Sequence, residues 1–165
     1  MATDRCPHKL PHGAGFLKSH LYTWIVDTIR LQRQEQNTLP SGNISQIAHL
    51  ISIKPKSLSV ISGNDDQTLA IMASGGTGVI SVFSNPYPAE MKKITDAMLN
   101  NNLKLAQELN NKYLSMMNAL FVETSPAPVK YVMSKLGLCE NVLRLPLLKA
   151  TRKAEELLDN EMKKM

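Results

Sequence analysis

The stretch that decides the fold runs from Ser62 to Pro88: Ser62-Gly63-Asn64-Asp65-Asp66, then Gly75-Gly76-Thr77-Gly78-Val79-Ile80-Ser81-Val82, then Asn85-Pro86-Tyr87-Pro88. Two short apolar runs, Ser57–Ile61 and Val79–Val82, are typical of strands, and each is followed by small and polar residues. A helix is predicted between them, over Gln67–Ser74. Strand, polar turn, helix and strand make a β/α unit. In barrels of such units, the residues just past the strand carboxyl ends build the active site.

Two groups in this stretch invite a chemical interpretation. Asp65 and Asp66 could form a paired carboxylate site, but acidic residues at the start of a helix also cap free N–H groups and suit the helix dipole. We favour capping and leave catalysis open. The Gly-rich segment 75–78 precedes a strand instead of opening a helix, so it does not fit a phosphate-binding loop. Its glycines are expected to supply positive φ angles and close packing.

Composition places the chain among ordinary globular proteins of one domain. It has 165 residues, 20% of them charged, and a net charge of +5 with no basic run typical of a nucleic-acid arm. No apolar run reaches the roughly 18–20 residues that span a bilayer, and no secretory signal is visible. Cys6 and Cys139 lie far apart, which favours a reducing cytoplasm. We therefore predict neither a nucleic-acid nor a membrane partner.

Residues 1–40 differ from the remainder of the chain. They hold three of the four histidines and the only tryptophan, and they end in a Gln-rich polar stretch before Pro40. The possible metal ligands Cys6, His8, His12 and His20 match no zinc spacing, so no metal site is predicted. We divide the chain into a divergent segment (1–40), the last β/α units of a barrel (41–90) and a carboxyl-terminal helical subdomain (91–165).

Helical periodicity extends over most of the remaining sequence. A helix over 42–51 is predicted with Asn43 as its N-cap, and Pro55 breaks the chain before the first strand. From Glu90 onward the pattern is helical, Gly137 is a helix stop, and Thr151–Met165 is a final amphipathic helix. Two apolar stripes predict core packing, not a cofactor site: Met91, Ile94, Ala97 and Met98, then Leu105, Leu109, Tyr113, Met116, Met117 and Leu120.

From Gly42 to about Leu148 the sequence resembles the dihydrodipicolinate synthase family, within the N-acetylneuraminate lyase superfamily of class I aldolases. Ordered blocks carry the resemblance: Ser41-Gly42-Asn43, Ser62–Asp66, Gly78–Val82 with Asn85, Leu120-Phe121-Val122-Glu123-Thr124-Ser125-Pro126-Ala127-Pro128-Val129-Lys130, Gly137-Leu138 and Leu143-Arg144-Leu145-Pro146-Leu147. The Glu123–Lys130 block favours the synthase branch over the sugar-acid aldolases.

The resemblance implies a homotetrameric (β/α)8 barrel with a carboxyl-terminal helical subdomain. It implies condensation of pyruvate with aspartate semialdehyde, on the route to lysine and diaminopimelate, through a lysine Schiff base and without a cofactor. A tyrosine relays protons in the family, and an arginine binds the semialdehyde carboxylate. The resemblance also implies that Gly78, Val79 and Ile80 line the pyruvate pocket.

Several departures weigh against catalysis. The family's Schiff-base lysine lies five residues before the position of Asn43, where this chain has Thr38, and Pro40 would interrupt the expected strand. The nearest arginine-loop candidate, Pro11–Gly15, has no arginine. The tyrosine and the early strands would precede residue 1. Lys54 is a conceivable substitute nucleophile, but it follows the Gly42-Asn43 block and precedes a proline, which favours a solvated loop lysine. Lys130 belongs to the corner block and is not expected to be the nucleophile.

These observations predict an α/β chain: about two strands and their helices from the end of a (β/α)8 barrel, followed by an α-helical subdomain. The predicted function is that of a dihydrodipicolinate synthase-like protein that is truncated and inactive alone, with no catalytic residue in place. The alternative is a non-enzymatic helical binding or assembly module. Catalysis through Lys54 is the third hypothesis.

Overall fold

The computed structural model describes residues 43–165. The predictions about Thr38, the arginine loop and the ligands Cys6, His8, His12 and His20 lie outside these residues. The elements are α1 (Ile44–Ile53), β1 (Ile61–Ser62), a 3-10 turn (Asp65–Gln67), α2 (Thr68–Ala73), β2 (Gly78–Val79), α3 (Pro88–Leu99), α4 (Leu103–Ala119), α5 (Ala127–Lys135) and α6 (Arg152–Met162). We call residues 43–87 the strand region and residues 88–165 the helical region.

The two strands form one parallel pair. Ile61 is opposite Gly78 and Ser62 is opposite Val79. Both predicted strands, Ser57–Ile61 and Val79–Val82, were placed wrongly: β1 begins at the end of the first, and β2 begins one residue before the second. The strand β2 ends earlier than predicted because the N–H groups of Val82 and Phe83 donate to the Asp65 side chain and not to a neighbouring strand.

The first helix begins where the sequence predicts. The Asn43 side chain accepts a hydrogen bond from the Gln46 N–H at 3.2 Å, so the predicted N-cap is confirmed. The helix continues two residues past the predicted end and stops just before Pro55, whose ring is incompatible with a further helical turn. None of its residues is buried, so α1 contributes little to the core among the described residues.

The predicted helix over Gln67–Ser74 divides into the 3-10 turn and the short helix α2. The glycines that follow it confirm the expected conformations at two positions. Gly75 has φ +108°, and a Cβ on Gly76 would lie 2.7 Å from Ile71 Cγ2 and 2.8 Å from the Ile71 carbonyl oxygen. Gly78 differs, because a Cβ there would meet nothing within 4 Å.

Side-chain caps and turns separate the helices of the helical region. The Asn102 side chain accepts from the Leu105 N–H at 3.2 Å at the start of α4, and Thr151 Oγ1 accepts from the Ala154 N–H at 3.4 Å at the start of α6. The turn before α4 includes Asn101 at φ 57°. The predicted stop at Gly137 is confirmed by its φ of +72°, two residues after α5 ends.

The main core lies among the helices. Its buried members include six that the sequence predicts, together with Val132 and Leu158; the six are Met91, Ile94, Tyr113, Met116, Met117 and Leu120. Leu105 was wrongly assigned to this core, since it is 41% exposed on the first turn of α4. Phe83, from the loop after β2, is fully buried, with its ring 5.3 Å from the Tyr87 ring and 5.7 Å from the Tyr113 ring. Phe83 therefore joins the strand region to the helical core.

Candidate functional site

The three predicted substrate-binding residues are consecutive at the end of β2. Gly78 and Val79 form the strand, and the Ile80 N–H donates to the Ser62 carbonyl of β1 at 2.8 Å. Val79 packs partly against the core, whereas Ile80 is 58% exposed. The backbone beside Gly78 is open to solvent on the side where a Cβ would stand. This geometry presents backbone groups at a strand end; the assignment of Gly78, Val79 and Ile80 to substrate binding stays a prediction.

A shallow groove of about 300 Å³ lies between β2 and α3. Its lining combines an apolar floor with four hydroxyl groups and one cation. The cation, Lys92, is mostly exposed and pairs with Asp96, so it is neither desolvated nor free. No residue of β1 is part of the lining, which is Thr77, Gly78, Val79, Ser81, Ser84, Pro88, Met91, Lys92, Thr95 and Leu99. We call this the edge groove.

Asp65 holds the loop that follows β2. Its side chain is 1% exposed, and its Oδ2 accepts hydrogen bonds from the N–H groups of Val82 at 3.0 Å and Phe83 at 2.9 Å. Oδ1 has no partner of normal geometry among the described residues. Burial raises the pKa of the Asp65 carboxyl, while hydrogen bonds from the Ser81 side chain and from the two N–H groups oppose that rise.

The favoured capping role of the acidic pair is therefore wrong for Asp65. The 3-10 turn that begins at Asp65 has no side-chain cap, and the carboxylate points instead to a loop 17 and 18 residues farther along the chain. Sequence separation hides such a contact, because capping rules consider only neighbours along the chain. Asp66 is exposed, and its charge adds a small further rise to the pKa of the Asp65 carboxyl. A catalytic role for the acidic pair stays a hypothesis.

Lys54 lies in the joint between α1 and β1, as the sequence predicts. Its Nζ donates to the Leu58 carbonyl at 2.8 Å, and the residue is half-buried. It does not line the edge groove. Lys130, on α5, donates to the Val142 carbonyl at 2.5 Å and is likewise outside the groove. Neither amine is directed at Gly78, Val79 or Ile80.

Two groups of polar contacts that the sequence did not suggest lie at the two ends of α6. The Glu123 carboxylate accepts from the Thr151 N–H at 3.0 Å and from the Thr151 hydroxyl, and these bonds lower the pKa of Glu123. Glu123 thus fixes the residue that caps α6. At the far side of that helix, Glu161 accepts from Ser115 Oγ at 2.7 Å and from Lys164 Nζ at 2.6 Å. The pKa of Glu161 falls, mainly through Lys164 and then through Ser115.

Across residues 43–165, no group of three or more His, Cys, Asp and Glu side chains is arranged to hold a metal ion. The helices of the same segment are all too short or too polar to cross a membrane. The predictions of no metal and no cofactor remain untested, because the histidine-rich part of the sequence is not among these residues.

Comparison with known proteins identifies similar chains. Residues 39–165 match the dihydrodipicolinate synthetase family. The 4-hydroxy-tetrahydrodipicolinate synthase of Chloroherpeton thalassium is 41% identical over 142 residues, which cover 83% of this chain and 47% of that protein. The chain thus spans about half the length of the curated relatives that it matches.

Solved structures agree in fold. The crystal structure of dihydrodipicolinate synthase from Thermotoga maritima is 42% identical, with a TM-score of 0.72, over 73% of this chain and 42% of that one. The Acinetobacter baumannii enzyme, solved with pyruvate, is 31% identical with a TM-score of 0.72, over 75% of this chain and 43% of that one. The predicted fold class is confirmed: part of a (β/α)8 barrel followed by a helical part.

Proposed function

Because the chain belongs to the dihydrodipicolinate synthetase family, we propose that its strand region supplies one wall of a pyruvate-binding pocket. The reaction is the condensation of pyruvate with aspartate semialdehyde through a lysine Schiff base, in the cytoplasm, toward lysine and diaminopimelate. The family homotetramer is part of this proposal. Gly78, Val79 and Ile80 form the wall, and their backbone groups face the substrate. The chain by itself does not form the Schiff base.

The observation that carries the proposal is the match over residues 39–165, which includes β2 and the corner block. A related protein at 31% identity has been solved with pyruvate, so the family fold accommodates this substrate. The wall position also agrees with general barrel architecture, in which the residues at strand carboxyl ends contact the substrate. Ile80 lies at the carboxyl end of β2 and is 58% exposed.

Inactivity of the chain alone follows from the nucleophile. A Schiff-base lysine must be desolvated, so that its amine is unprotonated near neutral pH. The matching position is Thr38, whose hydroxyl cannot form an imine with a ketone. Lys54 is bound to the Leu58 carbonyl and lies outside the groove beside β2. The described residues also provide two strands where a closed barrel needs eight.

Borohydride trapping tests the proposal directly. The chain is incubated with pyruvate, reduced with borohydride and mapped by peptide mass spectrometry, with the full-length Thermotoga maritima synthase as positive control. We expect no stoichiometric adduct on this chain. Background reduction would be spread over exposed lysines such as Lys56 and Lys92. An adduct confined to Lys54, and lost in Lys54→Met, would overturn the proposal and establish the Lys54 hypothesis.

Exposed apolar side chains favour the second candidate, a helical binding or assembly module. Leu145 is 85% exposed and Leu148 is 73% exposed, both in the joint between α5 and α6. Single exposed leucines are ordinary, but two within four residues form a small apolar surface. A trapping experiment without adduct, combined with a monodisperse species in solution, supports the module. Absence of an adduct combined with aggregation supports an incomplete barrel.

A further inference from the structure

The helix α6 is attached to the helical core by few apolar side chains. Its buried residues are Ala154, Leu158 and Glu161, so a carboxylate occupies one of the three buried positions. Leu158, at 0% exposed, is the large apolar side chain among them, and Met162 is partly buried against the same core. By contrast, α4 buries six residues. Hydrogen bonds therefore contribute a larger share of the attachment of α6 than of α4.

Three carboxylates, at the start, middle and end of α6, accept those hydrogen bonds. In the middle, Asp159 of α6 accepts from the Tyr131 hydroxyl at 3.0 Å and from Lys135 Nζ at 3.3 Å, both on α5. At the start, Glu123 binds the residue that caps α6, and at the end, Glu161 binds a serine of α4. We call Glu123, Asp159 and Glu161 the docking carboxylates.

The joint between α5 and α6 can change conformation without breaking a helix or a strand, since residues 137–150 contain neither. Lys130 Nζ holds the Val142 carbonyl beside α5. Beyond that bond, Leu145 and Leu148 are 85% and 73% exposed. The segment after Val142 therefore connects α6 to α5 as a tether.

We propose that α6 is released by acid: when the docking carboxylates bind protons, α6 undocks from α4 and α5, while α3, α4 and α5 stay packed together. A protonated carboxyl no longer pairs with the Lys135 ammonium, and it accepts weaker hydrogen bonds than a carboxylate. Ile94, Met116 and Val132 bury apolar surface among α3, α4 and α5, and this packing has no proton to gain. Release uncovers the apolar surface that Leu158 covers in the docked state.

The sign of the pH dependence follows from the hydrogen bonds that the docking carboxylates accept. Bonds from the Thr151 hydroxyl and N–H lower the pKa of Glu123. Bonds from Lys164 and then Ser115 lower the pKa of Glu161. The contribution of both groups to docking is therefore complete above their ordinary pKa of 4.5 and is lost as pH falls through the lower, folded values.

The ionisable groups that face the docking carboxylates are Tyr131 and Lys135 of α5 and Lys164 in the turn after α6. Burial raises the pKa of Tyr131 above its usual 10.0. Hydrogen bonds with Tyr131 and then Asp159 raise the pKa of Lys135 above its usual 10.5. Both α5 groups thus keep their protons while the carboxylates titrate, so the change in docking arises from the carboxylates.

Hydrogen exchange on the full 165-residue chain tests the release. Mass spectrometry or NMR follows the amides of α6 and, as an internal reference, those of α4, from about pH 6.5 to about pH 3.5, with rates corrected for intrinsic exchange. We expect the ratio of the α6 rate to the α4 rate to rise by about tenfold or more. A constant ratio, whether both helices lose protection together or neither does, would overturn the proposal.

Amide substitutions separate the docking carboxylates from other effects of acid. Glu123→Gln, Asp159→Asn and Glu161→Gln together remove the three charges at every pH. We expect α6 of this triple variant to exchange at least about tenfold faster than in the wild type near neutral pH, with α4 unchanged. Glu156→Gln is the matched control, because that exposed carboxylate pairs with Arg152 on the same helix. A triple variant with the pH dependence of the wild type, or a control with the same effect, would refute the proposal. The wild-type pH series decides the question even if the triple variant does not fold.

Discussion

The strand region and the helical region belong to the same family match, but they differ in how many of their side chains are buried and in how many of their backbone groups are hydrogen-bonded. In the strand region, α1 buries none of its residues and each strand has two residues. In the helical region, α4 alone buries six residues, four of them in the continuous core. A helix makes its backbone hydrogen bonds within itself, whereas a strand requires a neighbour. Helices can therefore form completely in part of a barrel, whereas a strand there lacks hydrogen-bond partners along any edge that has no neighbouring strand.

The largest expected effect is at the joint between the regions. Phe83→Ala removes a fully buried ring that contacts Tyr87 and Tyr113, and we expect it to lower the free energy of unfolding by about 3–5 kcal/mol. Phe121→Ala is the matched control, because Phe121 is 47% exposed and its loss should cost about 0.5 kcal/mol or less. Urea denaturation measures both. Equal effects would refute the role of Phe83 as the joint.

Asp65 is the second test, because it organises the strand region without help from a neighbouring strand. Asp65→Ala leaves the N–H groups of Val82 and Phe83 without an acceptor, and we expect a loss of about 2–4 kcal/mol. Asp65→Asn keeps one oxygen acceptor and should cost less. The control is Asp66→Ala at the exposed neighbour. If Asp66→Ala is as destabilising as Asp65→Ala, the carboxylate does not act through these bonds.

Packing at the Gly-rich turn provides the third test. Gly76→Ala would place a Cβ 2.8 Å from the Ile71 carbonyl oxygen. Because a backbone atom cannot shift without distorting α2, we expect the free energy of unfolding to fall by about 1–3 kcal/mol. Gly63→Ala serves as control, because a Cβ there meets nothing within 4 Å. Thermal unfolding followed by circular dichroism compares the two. A neutral Gly76→Ala would mean that the strand region adjusts freely, and would sharpen its contrast with the helical core.

The smallest expected effect is on the pH dependence of stability, which should have opposite signs for Glu161 in the helical region and Asp65 in the strand region. The lowered pKa of Glu161 stabilises the fold above its ordinary pKa of 4.5, and this contribution is lost as pH falls through the lower, folded value. The raised pKa of Asp65 acts oppositely: its contribution is full below 3.8 and is lost as pH rises through the folded value.

Glu161→Gln should therefore destabilise by about 0.5–1 kcal/mol at neutral pH, with the difference from wild type shrinking below pH 4.5. For Asp65→Asn, the advantage of the wild type should instead grow as pH falls from 7 toward 3.8. Denaturation curves at four or five pH values measure both differences. Parallel pH profiles for the two variants would contradict the assignments.

Local patterns were predictable where the physics is local. The Asn43 cap, the helix stop at Gly137, the tight glycines 75 and 76 and the buried Met116 and Met117 all follow from rules that involve neighbours within one or two helical turns. Strand boundaries were not predictable in this way. Val82 and Phe83 have strand-forming sequence, but their N–H groups bond to a side chain from an earlier turn.

The candidate site likewise combines residues that the sequence indicates with contacts that it does not. Gly78, Val79 and Ile80 were chosen from a resemblance. Within residues 43–165, the edge of β2 that faces away from β1 has no partner strand, which no periodicity could indicate. Glu123 is part of a corner block visible in the sequence, yet its partner Thr151 is 28 residues away. The edge groove also joins residues that belong to separate elements, from Thr77 to Leu99.

The sequence by itself determined the family and the order of helices and strands, because these depend on residue identity and local spacing. Only the tertiary structure decided that the buried Asp65 side chain binds a distant loop instead of capping a helix, and that Phe83 joins the two regions. It also decided that one edge of β2 has no partner strand among residues 43–165. Burial and hydrogen-bond pairing depend on which distant segments meet in space.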